Sequence, residues 1–165
     1  MRVLGIDPGT AACGYGVVQS ADGAMRSLDF GWWSTSPDLT LDQRLAAIHD
    51  RVTELICDYR PEAVAIEESY VGVDARTALS VGQARGAILV ACAKSGVSSA
   101  QYPPATVKQA VCGFGRADKQ QVQRMVAATL GLGEDPSPHH AADALAVAIC
   151  HALGSPLLAA AGAAT

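Results

Sequence analysis

Two short apolar runs, far apart in the 165-residue chain, each lead into a carboxylate. Residues 3–6 read VLGI and precede Asp7, which Pro8 and Gly9 follow at once. Residues 63–66 read AVAI and precede Glu67. A short apolar run bounded by turn residues is typical of a buried strand. The sequence therefore predicts two buried strands that each deliver a carboxylate at the sheet edge.

These carboxylates predict a metal site. A carboxylate at such a strand end is poorly solvated, so it takes up a proton or meets a cation or a base. His140 and Asp143, three residues apart in the last predicted helix, share one helix face. If the two strands are neighbours, Asp7, Glu67, His140 and Asp143 converge at the carboxyl ends of the strands, where sites in α/β sheets gather. Taken alone, Asp7 could equally cap the turn at Gly9.

The remaining pattern predicts one α/β domain with a mixed five-stranded sheet flanked by helices. Half of the residues are hydrophobic, which is enough for a real core. The domain is expected to span residues 1–153, with residues 154–165 as a flexible, alanine-rich tail. Strands are predicted over 2–7, 14–19, 27–33, 63–67 and 97–102. Helices are predicted over about 41–59, 74–94 and 138–153, with shorter helices opening at Pro103 and Asp118.

The formal net charge of -4 is unevenly distributed. Residues 1–75 and 125–165 are acidic, whereas residues 76–124 hold seven basic residues and a single acid, Asp118. Such a basic segment beside an acidic cluster suits a polyanion held over bound cations, although a solvated basic face would look the same. The basic residues are Arg76, Arg85, Lys94, Lys108, Arg116, Lys119 and Arg124.

The cysteines and the apolar runs predict a cytoplasmic protein. Five cysteines, without a C-x-x-C pair, indicate reduced and mostly buried thiols. The first residues enter a strand directly, so no secretory leader is expected. The longest apolar-leaning run, residues 87–93, is far too short to cross a bilayer, so no membrane association is expected.

Six segments, in order along the chain, resemble the RuvC family of bacterial Holliday-junction resolvases. They are IDPGT at 6–10, GYG at 14–16, AIEE at 65–68, GQARG at 82–86, VKQAV at 107–111 and AADALA at 141–146. The resemblance implies a ribonuclease H-like fold and a homodimer that resolves four-way DNA junctions by symmetric, Mg²⁺-dependent nicks in recombination and repair. It also implies the RuvAB branch-migration complex as a partner.

The resemblance implies a role for individual residues. It assigns metal-binding catalytic roles to Asp7, Glu67, His140 and Asp143, functional basic roles to Lys108 and Lys119, and junction contact to Tyr70. Arg76, Arg85 and Arg116 of the basic segment, and Phe114 on its glycine-flanked loop, complete the expected substrate-binding set. An aromatic on such a loop can stack on an unpaired base. Tyr70 could equally anchor the loop after the fourth strand by packing, and the alternative for Phe114 is that it plugs the core.

The expected mechanism is hydrolysis with two Mg²⁺ ions per subunit, about 3.5 to 4 Å apart. Lys119 is expected to offset charge on the scissile phosphate, and Lys108 to grip a flanking phosphate. Many members of the family carry Asp where His140 stands. Because imidazole is a softer ligand than carboxylate, we expect a shift toward Mn²⁺ without loss of Mg²⁺ activity.

Two paired cuts need two sites related by a twofold axis, which predicts a C2 dimer. The small-residue helix 74–94 is the candidate contact, although its small residues could equally pack it on its own sheet.

Three other functions stay open. IDPGT also resembles the phosphate loop of sugar kinase and actin-like ATPases, but those need two such domains. A non-catalytic junction-binding module is disfavoured by the intact carboxylates, and composition does not exclude a related ribonuclease H-like nuclease that processes RNA.

Overall fold

A computed structural model describes residues 1–68 and 75–162 of the chain, with side chains through residue 154. Its ten elements follow the predicted order of strands and helices. The strands are β1 (Arg2–Asp7), β2 (Ala12–Ala21), β3 (Ala24–Ser34), β4 (Ala63–Glu67) and β5 (Ser98–Tyr102). The helices are α1 (Leu41–Tyr59), α2 (Ala75–Ser95), α3 (Pro104–Cys112), α4 (Lys119–Leu130) and α5 (His139–Gly162).

The strands form one mixed sheet in the order β3-β2-β1-β4-β5. β1 pairs antiparallel with β2 and parallel with β4, and β4 pairs parallel with β5. The predicted mixed five-stranded α/β architecture is therefore confirmed. Since β1 and β4 are parallel neighbours, Asp7 and Glu67 end adjacent strands at the same edge of the sheet.

Helices cover both faces of the sheet. Leu4 and Ile6 of β1 belong to a core shared with α1 and α2, whereas Val3 belongs to a core shared with α3, α4 and α5. Because successive side chains of a strand point to opposite faces, Gly5 and Asp7 face the same side as Val3. Asp7 is thus directed toward the face on which α5 packs.

The ends of the helices follow local signals in most cases. Asp118 caps α4, where its side chain accepts a hydrogen bond of 2.8 Å from the backbone N–H of Gln121. The predicted end of the last helix was wrong: α5 begins at His139 and continues to Gly162, past residue 153. The alanine-rich composition accounts for the extension, because alanine has the highest helix propensity. The flexibility of residues 154–165 stays a prediction.

Two further predictions concern the chain as a whole. Cys13, Cys92 and Cys150 are buried, in agreement with the prediction of mostly buried thiols, and their reduced state stays a prediction. Over residues 1–68 and 75–162, the helices lack the combination of length and hydropathy that a membrane span requires.

Candidate active site

Glycines allow α5 to lie directly on the sheet. A Cβ atom added to Gly5 would overlap the backbone oxygen of Ala144, and one added to Gly14 would overlap the backbone oxygen of His140. Both glycines face α5, one from β1 and one from β2. Without a side chain at either position, the helix backbone approaches the strands closely. The first turn of α5 is thereby held beside the carboxyl end of β1.

Asp7 and His140 are in direct contact in this arrangement. Nδ1 of His140 donates a hydrogen bond of 2.7 Å to Oδ2 of Asp7. The Asp7 side chain is only 18% exposed, whereas the His140 side chain is 48% exposed. The two residues are 133 positions apart in the sequence. The imidazole therefore links the carboxyl end of β1 to the solvent-facing start of α5.

The three carboxylates of the site share one electrostatic environment. Burial, together with the negative charges of Asp7 and Asp143, raises the pKa of Glu67 to about 8. Burial also raises the pKa of Asp7, with a further increase from Asp143 and an opposing hydrogen bond from His140. The pKa of Asp143 is raised by burial and lowered by nearby positive groups. Each carboxylate is therefore short of compensating positive charge.

Two lysines lie close enough to act on these carboxylates. The charge of Lys119, the first residue of α4, lowers the pKa of Asp7, Glu67 and Asp143. Lys108, in α3, has the same effect on Glu67 and Asp143. Neither lysine offsets the effect of burial, because all three pKa values remain raised. The sequence-predicted basic residues and carboxylates thus come together, while their roles stay predictions.

The donor set fits a hard divalent cation. Carboxylate oxygens are the ligands that Mg²⁺ prefers, and a cation would supply the positive charge that the buried carboxylates need. Among the described residues, however, no group of three or more His, Cys, Asp and Glu side chains is arranged to hold one ion. Like charges repel one another, and His140 already occupies one oxygen of Asp7. In the described part of the chain, the donor oxygens are therefore not assembled around a single point.

The other predicted contact residues differ in their positions. Arg76 and His140 line a cavity of about 460 Å³, together with residues 8–12 and Ser80. Arg85 is half-buried within α2. Arg116 is exposed in the loop before α4. Tyr70 lies outside the described residues, as does Asp74, the residue at which the predicted helix 74–94 begins.

Phe114 lies on the exposed loop between α3 and α4. Its side chain is 46% exposed, and it lines a smaller cavity of about 220 Å³ with Arg124 and Met125. The alternative that Phe114 plugs the core is therefore wrong, because a core residue would be buried. Stacking on a base stays a prediction.

Sequence reasoning missed one residue that acts on the site. His139, which was not assigned to the site from the sequence, is the first residue of α5, and its charge lowers the pKa of Asp143. The adjacent His139 and His140 were a visible signal, since both lie within one turn of Asp143.

Comparison with known proteins gives a consistent result. The family model described as "Crossover junction endodeoxyribonuclease RuvC" matches residues 3–151. A protein of that name from Moorella thermoacetica is 52% identical over 156 residues, covering 94% of this chain and 93% of that protein. Its counterpart from Roseiflexus sp. (strain RS-1) is 48% identical over 157 residues, covering 95% of this chain and 94% of that protein.

Solved structures of Holliday-junction resolvases share the fold of this chain. Thermus thermophilus RuvC superimposes with a TM-score of 0.87 at 43% identity, covering 95% of this chain and 96% of that chain. The same coverage and TM-score apply to T. thermophilus RuvC in complex with Holliday junction substrate, at 41% identity. The yeast mitochondrial resolvase Ydc2 shares the fold at 14% identity and a TM-score of 0.62, covering 90% of this chain and 78% of that chain. The predicted ribonuclease H-like fold is confirmed.

Proposed function

This chain belongs to the RuvC family of crossover junction endodeoxyribonucleases, and we propose that it resolves four-way DNA junctions by paired, symmetric nicks in recombination and repair. The observation that carries the proposal is the group of buried carboxylates at the carboxyl ends of β1 and β4. Asp7, Glu67 and Asp143 interact with one another, and their pKa values are raised. Perturbed carboxylates gathered in this way are typical of catalytic sites.

In this proposal Asp7, Glu67, Asp143 and His140 would hold two divalent cations, Mg²⁺ or Mn²⁺. The chemistry that such ions supply is activation of a water nucleophile and stabilisation of the leaving 3′ oxygen. The hydrogen bond from His140 orients the Asp7 carboxylate. Because the Asp7 side chain is only 18% exposed and is hydrogen-bonded to His140, its range of orientations is limited.

Lys119 is proposed to contact the scissile phosphate. Its backbone is fixed by the capping box at the start of α4, in which Asp118 and Gln121 exchange hydrogen bonds of 2.8 and 2.9 Å. Its ammonium group would offset the negative charge that develops on the phosphate. Lys108, whose charge acts on Glu67 and Asp143, is proposed to hold a flanking phosphate.

The DNA arms are proposed to follow the basic segment. Arg76, on the wall of the cavity next to His140, and Arg116, before α4, would contact phosphates close to the site. Arg85 would act farther along α2. Phe114 and Tyr70 are proposed to stack on bases that the branch point leaves unpaired.

A homodimer is proposed through the exposed face of α2. Leu79 and Val90 are 64% and 52% exposed and lie on one face with Gly82 and Gly86. A Cβ added to either glycine would meet no described atom within 4 Å, so these glycines do not serve to pack α2 on its own sheet. The opposite face of α2, which includes Ile88, packs on the core. An exposed apolar face with small residues suits close packing of a second copy of the helix.

Sedimentation tests the dimer. The wild type should sediment as a dimer at micromolar concentration, and Val90→Glu should shift it toward monomer because a charge would be buried in the interface. A monomeric wild type would contradict the dimer. In the cytoplasm, such a dimer would cooperate with the RuvAB branch-migration complex.

Cleavage assays test the function as a whole. The purified protein is incubated with a synthetic four-way junction, a plain duplex and an RNA–DNA hybrid, each without metal, with Mg²⁺ and with Mn²⁺. We expect symmetric nicks with ligatable ends in the junction alone, and only when a divalent cation is present. Preferential cutting of the hybrid would identify an RNA-processing nuclease instead, and binding without cutting would identify a non-catalytic junction-binding module.

A further inference from the structure

Trp32 lies in the same cross-strand row as the catalytic Asp7. In the sheet register, Asp7 of β1 pairs with Gly14 of β2, and Gly14 pairs with Trp32 of β3. Directly paired residues of antiparallel strands project to the same face. The indole therefore lies on the face that carries the candidate active site.

The row is bridged by the start of α5. The backbone of His140 lies over Gly14, where an added Cβ would be 3.0 Å from the Cβ of His140. On one side of Gly14, His140 is hydrogen-bonded to Asp7, and on the other side lies Trp32. Asp7 and Trp32 thus flank Gly14, the position over which His140 lies.

Trp32 is exposed where its neighbours are covered. Phe30, two residues earlier on the same face of β3, packs against the core beneath α4 and α5. Trp32 lies level with the first turn of α5, and its side chain is 50% exposed. The other tryptophan, Trp33, faces the opposite core and packs against Tyr15, with ring centroids 6.0 Å apart. Local packing therefore accounts for Trp33 and leaves the exposed half of Trp32 unexplained.

We propose that Trp32 contacts the substrate by stacking on a nucleobase of the DNA strand that is being cut. The inference rests on the proposed function. Two strand spacings of about 4.8 Å separate Trp32 from Asp7, which corresponds to roughly three base steps along a DNA strand. Stacking on an aromatic side chain accepts any base, because every base has a π face. Near a branch point, bases become available for such a contact.

The charges on this face suit a DNA strand. α4 contacts both β3 and α5, and its first residue, Lys119, acts on the carboxylates of the site. A strand lying over Asp7 and Trp32 would keep its phosphates near this lysine. Trp32 would then hold a nucleotide on the β3 side of the scissile phosphate.

Fluorescence with a four-way junction tests the contact directly. In buffer with EDTA, which prevents cutting, emission from the wild type should fall as junction is added, because stacking quenches an indole. In Trp32→Phe only Trp33 remains, and its emission should stay unchanged. Trp32→Ala should weaken junction affinity about tenfold, a typical loss for a stacking aromatic, and Trp32→Phe should retain affinity within about threefold.

Leu153→Ala provides a matched control. Leu153 is 45% exposed and lies fourteen residues after the first residue of α5, so its replacement should leave affinity and emission unchanged. Unchanged affinity in Trp32→Ala, or unquenched wild-type emission on saturation with DNA, would overturn the contact. If the wild type still cuts the junction with Mg²⁺ or Mn²⁺, such a result removes Trp32 from the substrate surface and leaves the nuclease function standing.

Discussion

Charged groups have opposite environments at the two ends of the central sheet. At the amino ends of β1 and β4, charged groups meet partners. The ammonium group of Met1 donates a 2.7 Å hydrogen bond to the carbonyl of Ser20 and lies 3.7 Å from the carboxylate of Glu62. The same carboxylate accepts a 2.9 Å bond from the backbone N–H of Arg2. Charge at this end stabilises the fold.

At the carboxyl ends of the same strands, like charges are brought together. Asp7, Glu67 and Asp143 are largely buried, and their pKa values are raised in spite of the nearby lysines. Such an arrangement opposes folding unless a cation joins it. Charges are paired with partners at the amino ends of these strands, whereas like charges are gathered at the carboxyl ends. Such a local departure from charge pairing is typical of a functional site.

The largest expected effect follows from removing the charge of Asp7. Asp7→Asn should lower junction cutting by several orders of magnitude, because a central cation ligand is lost. Junction binding should persist, since a carboxylate does not attract phosphates. Gel assays of cutting and mobility shift measure both. Glu62→Gln, at the opposite end of the sheet, should cut like the wild type, and readily measurable cutting by Asp7→Asn would contradict the assignment.

A smaller loss is expected when α5 is displaced from the catalytic end. Gly14→Ala would push the first turn of the helix away from β2, because the added Cβ would overlap the backbone of His140. Cutting should fall about a hundredfold, the typical cost of a misplacement of about 1 Å in an active site. Gly133→Ala is the matched control, since a Cβ there would meet no described atom within 4 Å. Full activity in Gly14→Ala would show that the position of α5 is not critical.

The contrast between the two ends also predicts opposite effects on stability. With a folded pKa of about 8 against an ordinary value of 4.5, Glu67 binds more protons in the folded than in the unfolded state between these pH values. The unfolding free energy of the metal-free protein should therefore fall as pH rises through this window. Glu67→Gln should remove this contribution and stabilise the metal-free protein at pH 8 by about 1 to 3 kcal/mol.

Glu62→Gln should instead lower the free energy of unfolding. The loss should be at most about 1 kcal/mol, because the ion pair of Glu62 with the amino terminus is exposed to solvent. Denaturant unfolding in EDTA from pH 5 to 9 measures both variants. Identical pH dependence in the wild type and Glu67→Gln would contradict the raised pKa.

The smallest effect is expected at His140. His140→Asp replaces a softer nitrogen ligand with a carboxylate, so the ratio of the Mn²⁺ rate to the Mg²⁺ rate should fall by a few-fold. Junction cutting in each metal measures this ratio. Equal nicking rates in the two metals, for both proteins, would refute the preference.

Many of the strands and helix ends that position the site were predictable from local sequence. The apolar runs that end in Asp7 and Glu67 predicted β1 and β4 with correct bounds, and Asp118 predicted the start of α4. Each of these signals lies within a few residues of the structure that it specifies. The convergence of the two carboxylates followed from parallel pairing of their strands.

The close approach of α5 to the sheet was not predictable, because it depends on contacts between residues that are far apart in the sequence. Gly5 and Gly14 determine how closely α5 approaches, but their contacts with Ala144 and His140 exist only in the tertiary structure. Because side chains alternate along a strand, at most one of the adjacent Trp32 and Trp33 can face the core, and only the register of β3 identified Trp32 as the exposed one.

The direct test of the cation site is anomalous scattering from a crystal soaked in Mn²⁺. We predict manganese peaks at the carboxyl ends of β1 and β4, bound by Asp7 with Glu67 and Asp143. Peaks confined to other surfaces, with these three side chains left apart at saturating Mn²⁺, would contradict the proposal that the buried carboxylates exist to bind divalent cations.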